Sequence, residues 1–254
     1  MKPTTVHYGS HRAQVAEVWR PSAPGDRPVL VLLHGGFWRQ VYTKRLMHGL
    51  ARAVADLGWV AFNVEYRRVG PLGSGGWPGT FDDVSAAVDA IGTLEGVDQA
   101  RVVTCGHSAG GHLALWAASA RVTGPEVDHP VRPCAAISLA GVVDLVGAAR
   151  QGLGGGAVEA LMGGAPGTHP DRYALGSPAA LLPLGVRQIL VHGEADRTVP
   201  ASLSRDYVSR ATALGDDARY VPLAGASHMD MISAHGPAFD TVASVLREIS
   251  PRGP

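Results

Sequence analysis

Residues 101–118 have the sequence RVVTCGHSAGGHLALWAA, in which a lone serine separates two different patterns. The part before the serine is an apolar run typical of a buried strand, and the part after it has helical spacing. A strand that turns into a helix within about two residues strains the backbone of Ser108 and leaves room only for small neighbours, here Gly106 and Gly110. We expect this turn to lift the serine hydroxyl out of the sheet. It should also aim the backbone N–H of Ala109 toward whatever the serine attacks.

Strand-like and helix-like patterns alternate along the rest of the chain. This alternation predicts an α/β fold, in which helices cover both faces of a mostly parallel sheet. The first 25 residues, which end in PSAPG, predict an antiparallel pair at one edge of that sheet. We predict strands at 12–20, 28–33, 59–64, 101–105, 134–140, 188–192 and 218–223, and helices near 43–57, 81–94, 109–121, 201–214 and 236–249.

The domain organisation follows from length and from one unusual segment. A chain of 254 residues with 46% hydrophobic residues can bury a large core, so we expect one domain over residues 1–254. Eight glycines between positions 147 and 167 crowd the segment 145–178, a region with no clear strand and one short helical piece near 157–162. We interpret this segment as an insertion or lid over the active edge of the sheet.

Charge and composition limit the partners. Lysine plus arginine and aspartate plus glutamate both number 22, so no long-range field attracts the protein to nucleic acid or to an acidic membrane. We therefore expect a small-molecule partner, while the oligomeric state stays open. We find no signal-peptide pattern and no run of 18 apolar residues, which predicts a cytoplasmic protein. Cys105 and Cys134 lie in apolar strand-like runs and are expected to be buried free thiols rather than a disulfide.

A serine hydroxyl is a poor nucleophile until a base takes its proton, and that base needs a carboxylate to fix its tautomer. Two later loops supply these groups. QILVHGEADRTVP, residues 188–200, carries Asp196 just past a predicted strand, and ARYVPLAGASHMD, residues 218–230, carries His228 in the same position. Open α/β sheets place their ligands at these strand ends. We therefore predict a catalytic triad of Ser108, Asp196 and His228, with Glu194 as the alternative acid.

Other histidines compete with His228 for the role of base. We expect His34 to brace the loop that follows its strand through a side-chain hydrogen bond. His107 should face the wrong side of the nucleophile, and His112 should pack one helical turn further on. The remaining competitors are His192 and His235.

At this point the chain resembles the α/β-hydrolase family, from about residue 12 to residue 250. HGGFW narrows the resemblance to an esterase branch that includes hormone-sensitive-lipase-like, kynurenine formamidase-like and feruloyl-esterase-like proteins. The resemblance implies an oxyanion hole formed by the backbone N–H groups of Gly36, Phe37 and Ala109. Which of Gly35, Gly36 and Phe37 points inward stays open. The matching features are HGGFW at 34–38, NVEYR at 63–67, GHSAGG at 106–111, SP at 177–178, HGEADRTVP at 192–200 and GASH at 225–228.

Many lipase-like relatives have a third glycine after the two glycines of the HGG loop. This chain has Phe37 there, followed by Trp38. Bulky rings there predict a small, aromatic acyl pocket, with Trp38 either lining it or packing in the core. We expect a serine hydrolase for esters with short or aromatic acyl groups. An arylformamidase acting on N-formylkynurenine and a non-catalytic binding protein are the alternatives.

Two weaker motifs point to other functions, and the residues around each motif argue against that function. GLGGGA at 152–157 fits the dinucleotide-binding pattern, but no strand leads into it and prolines interrupt the expected second strand. His107 and His112 are five positions apart, so they do not share a helical face, and no carboxylate completes a zinc set. We therefore predict no cofactor and no metal.

Overall fold

A computed structural model describes residues 2–119 and 129–249. Its described residues include one eight-stranded sheet with the order β1-β2-β4-β3-β5-β6-β7-β8. The strands are β1 Thr4–His7, β2 Val15–Trp19, β3 Arg27–Leu33, β4 Val60–Val64, β5 Val97–His107, β6 Ala135–Leu139, β7 Arg187–Gly193 and β8 Ala218–Leu223.

The pairing directions confirm the predicted architecture. β1 pairs with β2 and β2 pairs with β4 in antiparallel fashion, which is the edge pair expected from the opening residues. The six strands from β4 to β8 in the sheet are all parallel. Parallel strands put their carboxyl ends at one edge, so the loops after β3, β4, β5, β7 and β8 meet there.

Helices cover both faces of the sheet, and alternate residues of each strand reach opposite faces. Val29, Val31 and Leu33 of β3 join one hydrophobic core, whereas Leu30 and Leu32 join the other. α1 and α9 pack on the second face, and the other long helices pack on the first. The helices are α1 His48–Asp56, α2 Gly79–Asp89, α3 Ala109–Ala118, α4 Leu145–Arg150, α5 Ala157–Met162, α6 Pro170–Gly176, α7 Pro178–Leu181, α8 Ala201–Ala213 and α9 Pro237–Ile249.

The glycine-rich segment between β6 and β7 differs from the prediction, because it holds four short helices (α4 to α7) rather than one helical piece. Glycines flank α5, with Gly156 at φ 77° before it and Gly163 at φ 78° after it. Glycine adopts this left-handed conformation without steric cost, so it can start and stop a helix of only six residues. Helices this short do not show a clear period in the sequence.

Three further expectations can be compared with the structure. The helix predicted at 109–121 ends at Ala118, and residues 120 and 121 lie outside the described ranges. Both cysteines are free thiols as predicted, but Cys134 is exposed rather than buried because it precedes β6 at the sheet's amino edge. Across the described ranges, no helix is long and apolar enough to cross a bilayer.

Candidate active site

Ser108 lies at the sharp junction between the end of β5 and the start of α3. Its backbone has φ 55° and ψ −117°, a strained conformation for a residue with a side chain. The surrounding structure fixes this geometry from both sides, since Ser108 N–H donates to Leu139 O at 2.8 Å and Ser108 O accepts from His112 N–H at 3.1 Å. Ser108 is only 2% exposed, so it lies just beneath the surface at this junction.

The small neighbours predicted for this junction are required by close backbone approaches. A Cβ on Gly106 would lie 2.1 Å from the carbonyl oxygen of Gly110. A Cβ on Gly110 would lie 1.9 Å from the carbonyl oxygen of Leu33 in β3. Helix α3 can therefore begin directly against the sheet, and Ala109, its first residue, has an N–H in the turn that a helix leaves without an internal partner.

The loop after β3 carries the other two predicted oxyanion donors, Gly36 and Phe37. Gly36 has φ 108°, and Phe37 and Trp38 have φ 51° and 55°, so three successive residues occupy left-handed backbone. Arg39 N–H donates to Gly36 O at 3.0 Å, which closes a tight turn. Within residues 2–119 and 129–249, the N–H groups of Gly36 and Phe37 donate to no other group. Gly36 and Phe37 are half-buried residues.

Trp38 does not line a pocket, contrary to one of the two expectations for it. Its side chain is 0% exposed and belongs to the first hydrophobic core. The indole meets the ring of His112 edge to face, with centroids 5.3 Å apart. Trp38 thus packs in the core, whereas the Phe37 ring packs against Gly154 of the glycine-rich segment.

Asp196 and His228 meet as the sequence predicts for an acid and its base. His228 Nδ1 lies 2.6 Å from Asp196 Oδ2, and the Asp196 side chain is fully buried. Backbone hydrogen bonds join the two loops, because Ala195 N–H donates to Ala226 O at 3.1 Å and Glu194 N–H donates to Leu223 O at 3.0 Å. Glu194 itself is exposed and contributes only its backbone here.

The surroundings of Asp196 keep its carboxylate ionised. Burial acts to raise the pKa of Asp196, but the hydrogen bonds it accepts outweigh burial and hold the pKa well below its usual range. A second histidine, His192, places Nε2 3.2 Å from the same Oδ2 that contacts His228. The groups that lower the pKa are the side chains of His192 and His228 and the backbone N–H groups of Val199 and Thr198.

His107, the last residue of β5, contacts the loop that carries His228. The sequence did not indicate this contact. Its Nε2 lies 3.0 Å from the carbonyl oxygen of His228, and the two rings are 4.5 Å apart. Burial, followed by the charge of His228, lowers the pKa of His107 to about 3, so His107 stays neutral and donates from Nε2. Among the described residues, Ser108 Oγ and His228 form no hydrogen bond with each other. Such bonds are often long without substrate and tighten in the reacting complex.

His34 braces the HGG loop as predicted, and the structure adds partners that were missed. Its Nδ1 lies 2.7 Å from Gly35 O, and its Nε2 lies 2.9 Å from Glu65 Oε1. Glu65 belongs to the NVEYR motif, so the motif was recognised without a role for its carboxylate. Tyr42 was also missed: its ring covers Gly36, where a Cβ would lie 2.3 Å from the ring, and it is 42% exposed.

A cavity of about 470 Å³ opens beside the HGG loop, between segments 11–15, 40–44 and 65–74. Charged side chains contribute to its wall, among them Arg12, Lys44, Glu65 and Arg68. Of the described residues that line it, none is Ser108 or His228. The described residues that line this cavity therefore include no member of the predicted triad and none of the predicted oxyanion donors.

Comparison with known proteins gives a family and several esterase relatives. Residues 17–210 match the BD-FAE family. The esterase LipC of Mycobacterium tuberculosis (strain ATCC 25618 / H37Rv) is 28% identical over 267 residues, which cover 96% of this chain and 64% of LipC. Esterase LipQ of the same strain is 29% identical, over 94% of this chain and 58% of LipQ. The chain thus spans less than two thirds of the length of these relatives.

Solved structures show the same fold. A truncated form of a carbohydrate esterase from gut microbiota superposes with a TM-score of 0.85 at 18% identity, covering 99% of this chain and 98% of that one. An esterase from the Planctomycetes species Thermogutta terrifontis, Est2, superposes with a TM-score of 0.79 at 24% identity, covering 100% and 95%. The predicted α/β-hydrolase fold is confirmed.

Proposed function

The chain belongs to the BD-FAE family, and from this premise we propose that it is a serine-dependent carboxylic ester hydrolase. The observation that carries the proposal is the hydrogen bond of 2.6 Å between His228 and the buried Asp196, at the same sheet edge as the strained Ser108. LipC and LipQ are esterases, which supports ester hydrolysis over the arylformamidase alternative. Neither the family match nor these relatives support a kynurenine formamidase-like substrate.

The proposed reaction begins with attack by Ser108 on the carbonyl carbon of an ester. His228 takes the hydroxyl proton at Nε2, because its Nδ1–H is committed to Asp196. The ionised carboxylate of Asp196 fixes that tautomer and stabilises the imidazolium that forms. His228 then gives the proton to the leaving alcohol, which departs and leaves an acyl group on Ser108.

The N–H groups of Gly36, Phe37 and Ala109 are the proposed donors to the oxyanion of the tetrahedral intermediate. Their support is positional, since Gly36 and Phe37 have unpartnered N–H groups among the described residues and Ala109 begins a helix directly after the nucleophile. Water repeats the same steps on the acyl-enzyme, with His228 as base and then acid, and releases the carboxylic acid. The proposed cycle requires no cofactor.

We propose that short or aromatic acyl groups fit this site best. With Trp38 buried in the core, the argument for a small pocket depends on Phe37, whose ring is wedged against the glycine-rich segment. Arg39 holds that segment in place, because one of its guanidinium nitrogens donates to Gly154 O at 2.5 Å. Residues 145–178 then form a fixed side wall of one domain rather than a loose lid, since Val158, Leu161 and Met162 are buried in the core.

The test is hydrolysis of 4-nitrophenyl acetate beside N-formylkynurenine by the purified chain, with Ser108→Ala as the matched control. We expect turnover of the ester that is lost in Ser108→Ala. Preference for N-formylkynurenine would move the protein to the arylformamidase alternative. Binding of both compounds without turnover would support the non-catalytic alternative.

A further inference from the structure

Two positions that follow neighbouring strands meet beneath the HGG loop. Leu33 of β3 pairs with Val64 of β4 in parallel register, so the next residues, His34 and Glu65, come side by side. Their side chains are almost fully buried, with 0% and 8% exposed. Neither residue contacts the reacting atoms in the proposed mechanism, so their contacts need another explanation.

The hydrogen bonds of His34 occupy both ring nitrogens. Nδ1 faces the carbonyl oxygen of Gly35 at 2.7 Å, and Nε2 faces Glu65 Oε1 at 2.9 Å. The Tyr66 ring stacks on the imidazole with centroids 4.4 Å apart, and the Tyr66 hydroxyl donates to His34 O at 2.7 Å. A carbonyl oxygen and an ionised carboxylate oxygen can only accept, so Nδ1 and Nε2 both act as donors in this arrangement.

Glu65 is held in place from several directions. Its Oε2 accepts the backbone N–H of Lys44 at 3.1 Å, and Arg68 lies 2.8 Å from its Oε1. Burial acts to raise the pKa of Glu65, but the contacts with His34, Arg68 and the Lys44 N–H outweigh it and lower the pKa. The carboxylate is therefore a fixed acceptor that keeps the His34 ring from rotating.

The bond to Gly35 O has a consequence for the next N–H along the chain. The peptide between Gly35 and Gly36 is trans, so Gly35 C=O and Gly36 N–H point in opposite directions. Because His34 holds the carbonyl on one side, the Gly36 N–H must point to the other. The loop passes directly over the nucleophile, since a Cβ on Gly35 would lie 3.1 Å from Ser108 Cβ.

We infer that His34 and Glu65 are positioning residues that set the orientation of one peptide, and thereby select Gly36 N–H as an oxyanion donor. This role deepens the proposed function and depends on it for its kinetic test. It also answers which glycine of the loop faces the site: the N–H of Gly36 does, since the Gly35 carbonyl is tied down. A loop without this bond could flip that peptide and present a carbonyl oxygen to the developing negative charge.

The test is a pair of amide substitutions that separate the two ring nitrogens. The side-chain nitrogen of asparagine lies where Nδ1 does, and that of glutamine lies where Nε2 does. We expect His34→Asn to keep the donor to Gly35 O and kcat within about 5-fold of wild type. His34→Gln should lower kcat by about 100-fold with little change in KM, which is the effect of losing one oxyanion donor.

A second pair covers the case in which a His34 variant does not fold, as judged by thermal melting. Glu65→Gln can still hold the ring, and we expect it to keep most of kcat, whereas Glu65→Leu should lose about as much as His34→Gln. Equal losses in His34→Asn and His34→Gln, or full kcat in folded His34→Gln, would overturn the inference. Failure of the proposed function is distinguishable, because it would show as wild-type turnover that Ser108→Ala does not abolish, or as no turnover.

A readout that needs no activity completes the test. In protein labelled with ¹⁵N-histidine, the ring signals of His34 can be assigned by their loss in His34→Asn. We expect Nδ1 to be protonated. An unprotonated Nδ1 would contradict the inference whatever the substrate is.

Discussion

Asp196→Asn is the substitution that tests the proposed triad most sharply. Asp196 Oδ1 accepts two backbone N–H groups, from Thr198 at 2.8 Å and from Val199 at 2.9 Å. These donors cannot change role, so an asparagine must place its oxygen there and its NH₂ group toward His228. The NH₂ group then donates to Nδ1, and the proton of His228 moves to Nε2. In that tautomer His228 cannot take the proton of Ser108.

The expected loss in kcat is about 10⁴-fold, the size known for the same acid-to-amide change in a serine protease. At about 1.4 kcal/mol per tenfold change, this corresponds to about 5 kcal/mol of transition-state stabilisation. The change is nearly isosteric and removes a buried charge, so the fold should survive. KM should change little, because the carboxylate does not contact the substrate.

The assay is steady-state hydrolysis of 4-nitrophenyl acetate at neutral pH, with thermal melting to confirm the fold. Glu194→Gln is the matched control, since Glu194 is two residues away and exposed, and it should keep kcat within about 2-fold. A kcat for Asp196→Asn within tenfold of wild type would refute the tautomer argument. A larger loss in Glu194→Gln would assign the acid to position 194.

Three further predictions follow from the same geometry. Ser108→Ala should lower ester hydrolysis by several orders of magnitude without lowering the melting temperature; near wild-type activity in the folded variant would end the serine-hydrolase proposal. Across 4-nitrophenyl esters from acetate to palmitate, kcat/KM should fall with acyl length. A maximum at eight carbons or more would contradict the small pocket. Phe37→Ala should shift the profile toward longer acyl chains. Trp38→Ala should lower the free energy of unfolding by about 3 to 5 kcal/mol and leave the acyl-length profile of the folded fraction unchanged. Because the pKa of Asp196 is lowered in the fold, its contribution to stability is fully present above its unfolded value of about 3.9 and is lost as the pH falls through the native value. Denaturant unfolding between pH 5 and pH 2 should therefore show a steeper loss of stability in wild type than in Asp196→Asn, and equal slopes would count against the cited hydrogen bonds.

The sequence predicted the parts of the site that depend on strand ends. A nucleophile junction needs a strand, a small-residue turn and a helix in direct succession, and GHSAGG in its context meets all three conditions. The loops of Asp196 and His228 were found for the same reason, since each follows an apolar strand. The triad roles and oxyanion donors remain predictions, with the contact between Asp196 and His228 as their support.

The direction of the Trp38 side chain could not be predicted from the sequence. Proximity in sequence to the HGG loop suggested a pocket wall, but the side-chain direction depends on backbone angles that the sequence does not reveal. Phe37 and Trp38 both have positive φ, which is uncommon for residues with large side chains. Of the two positions that the sequence left open for the Trp38 ring, the structure shows the one in the core.

The sequence analysis gave Glu65 no role, because its role depends on a contact with a residue far away in the sequence. Nothing in NVEYR alone indicates that a carboxylate will meet a histidine 31 positions earlier. The contact follows from the parallel register of β3 and β4. The sequence predicts a mostly parallel sheet, but it does not predict which residues of neighbouring strands pair.

Backbone strain in this site is concentrated at residues that follow strand ends, Ser108 after β5 and the HGG loop after β3. Each non-glycine residue with positive φ costs about 1 to 3 kcal/mol and persists only when its surroundings over-determine its conformation. For Ser108 the surroundings include the bond from its N–H to Leu139, and for the HGG loop they include the bond from His34 to Gly35 O. The sheet itself sets only the spacing of the strand ends. Hydrogen bonds at the strand ends must therefore hold the reacting groups in register, which is why we expect His34→Gln and substitutions at His107 to alter kcat more than changes of similar size in the core.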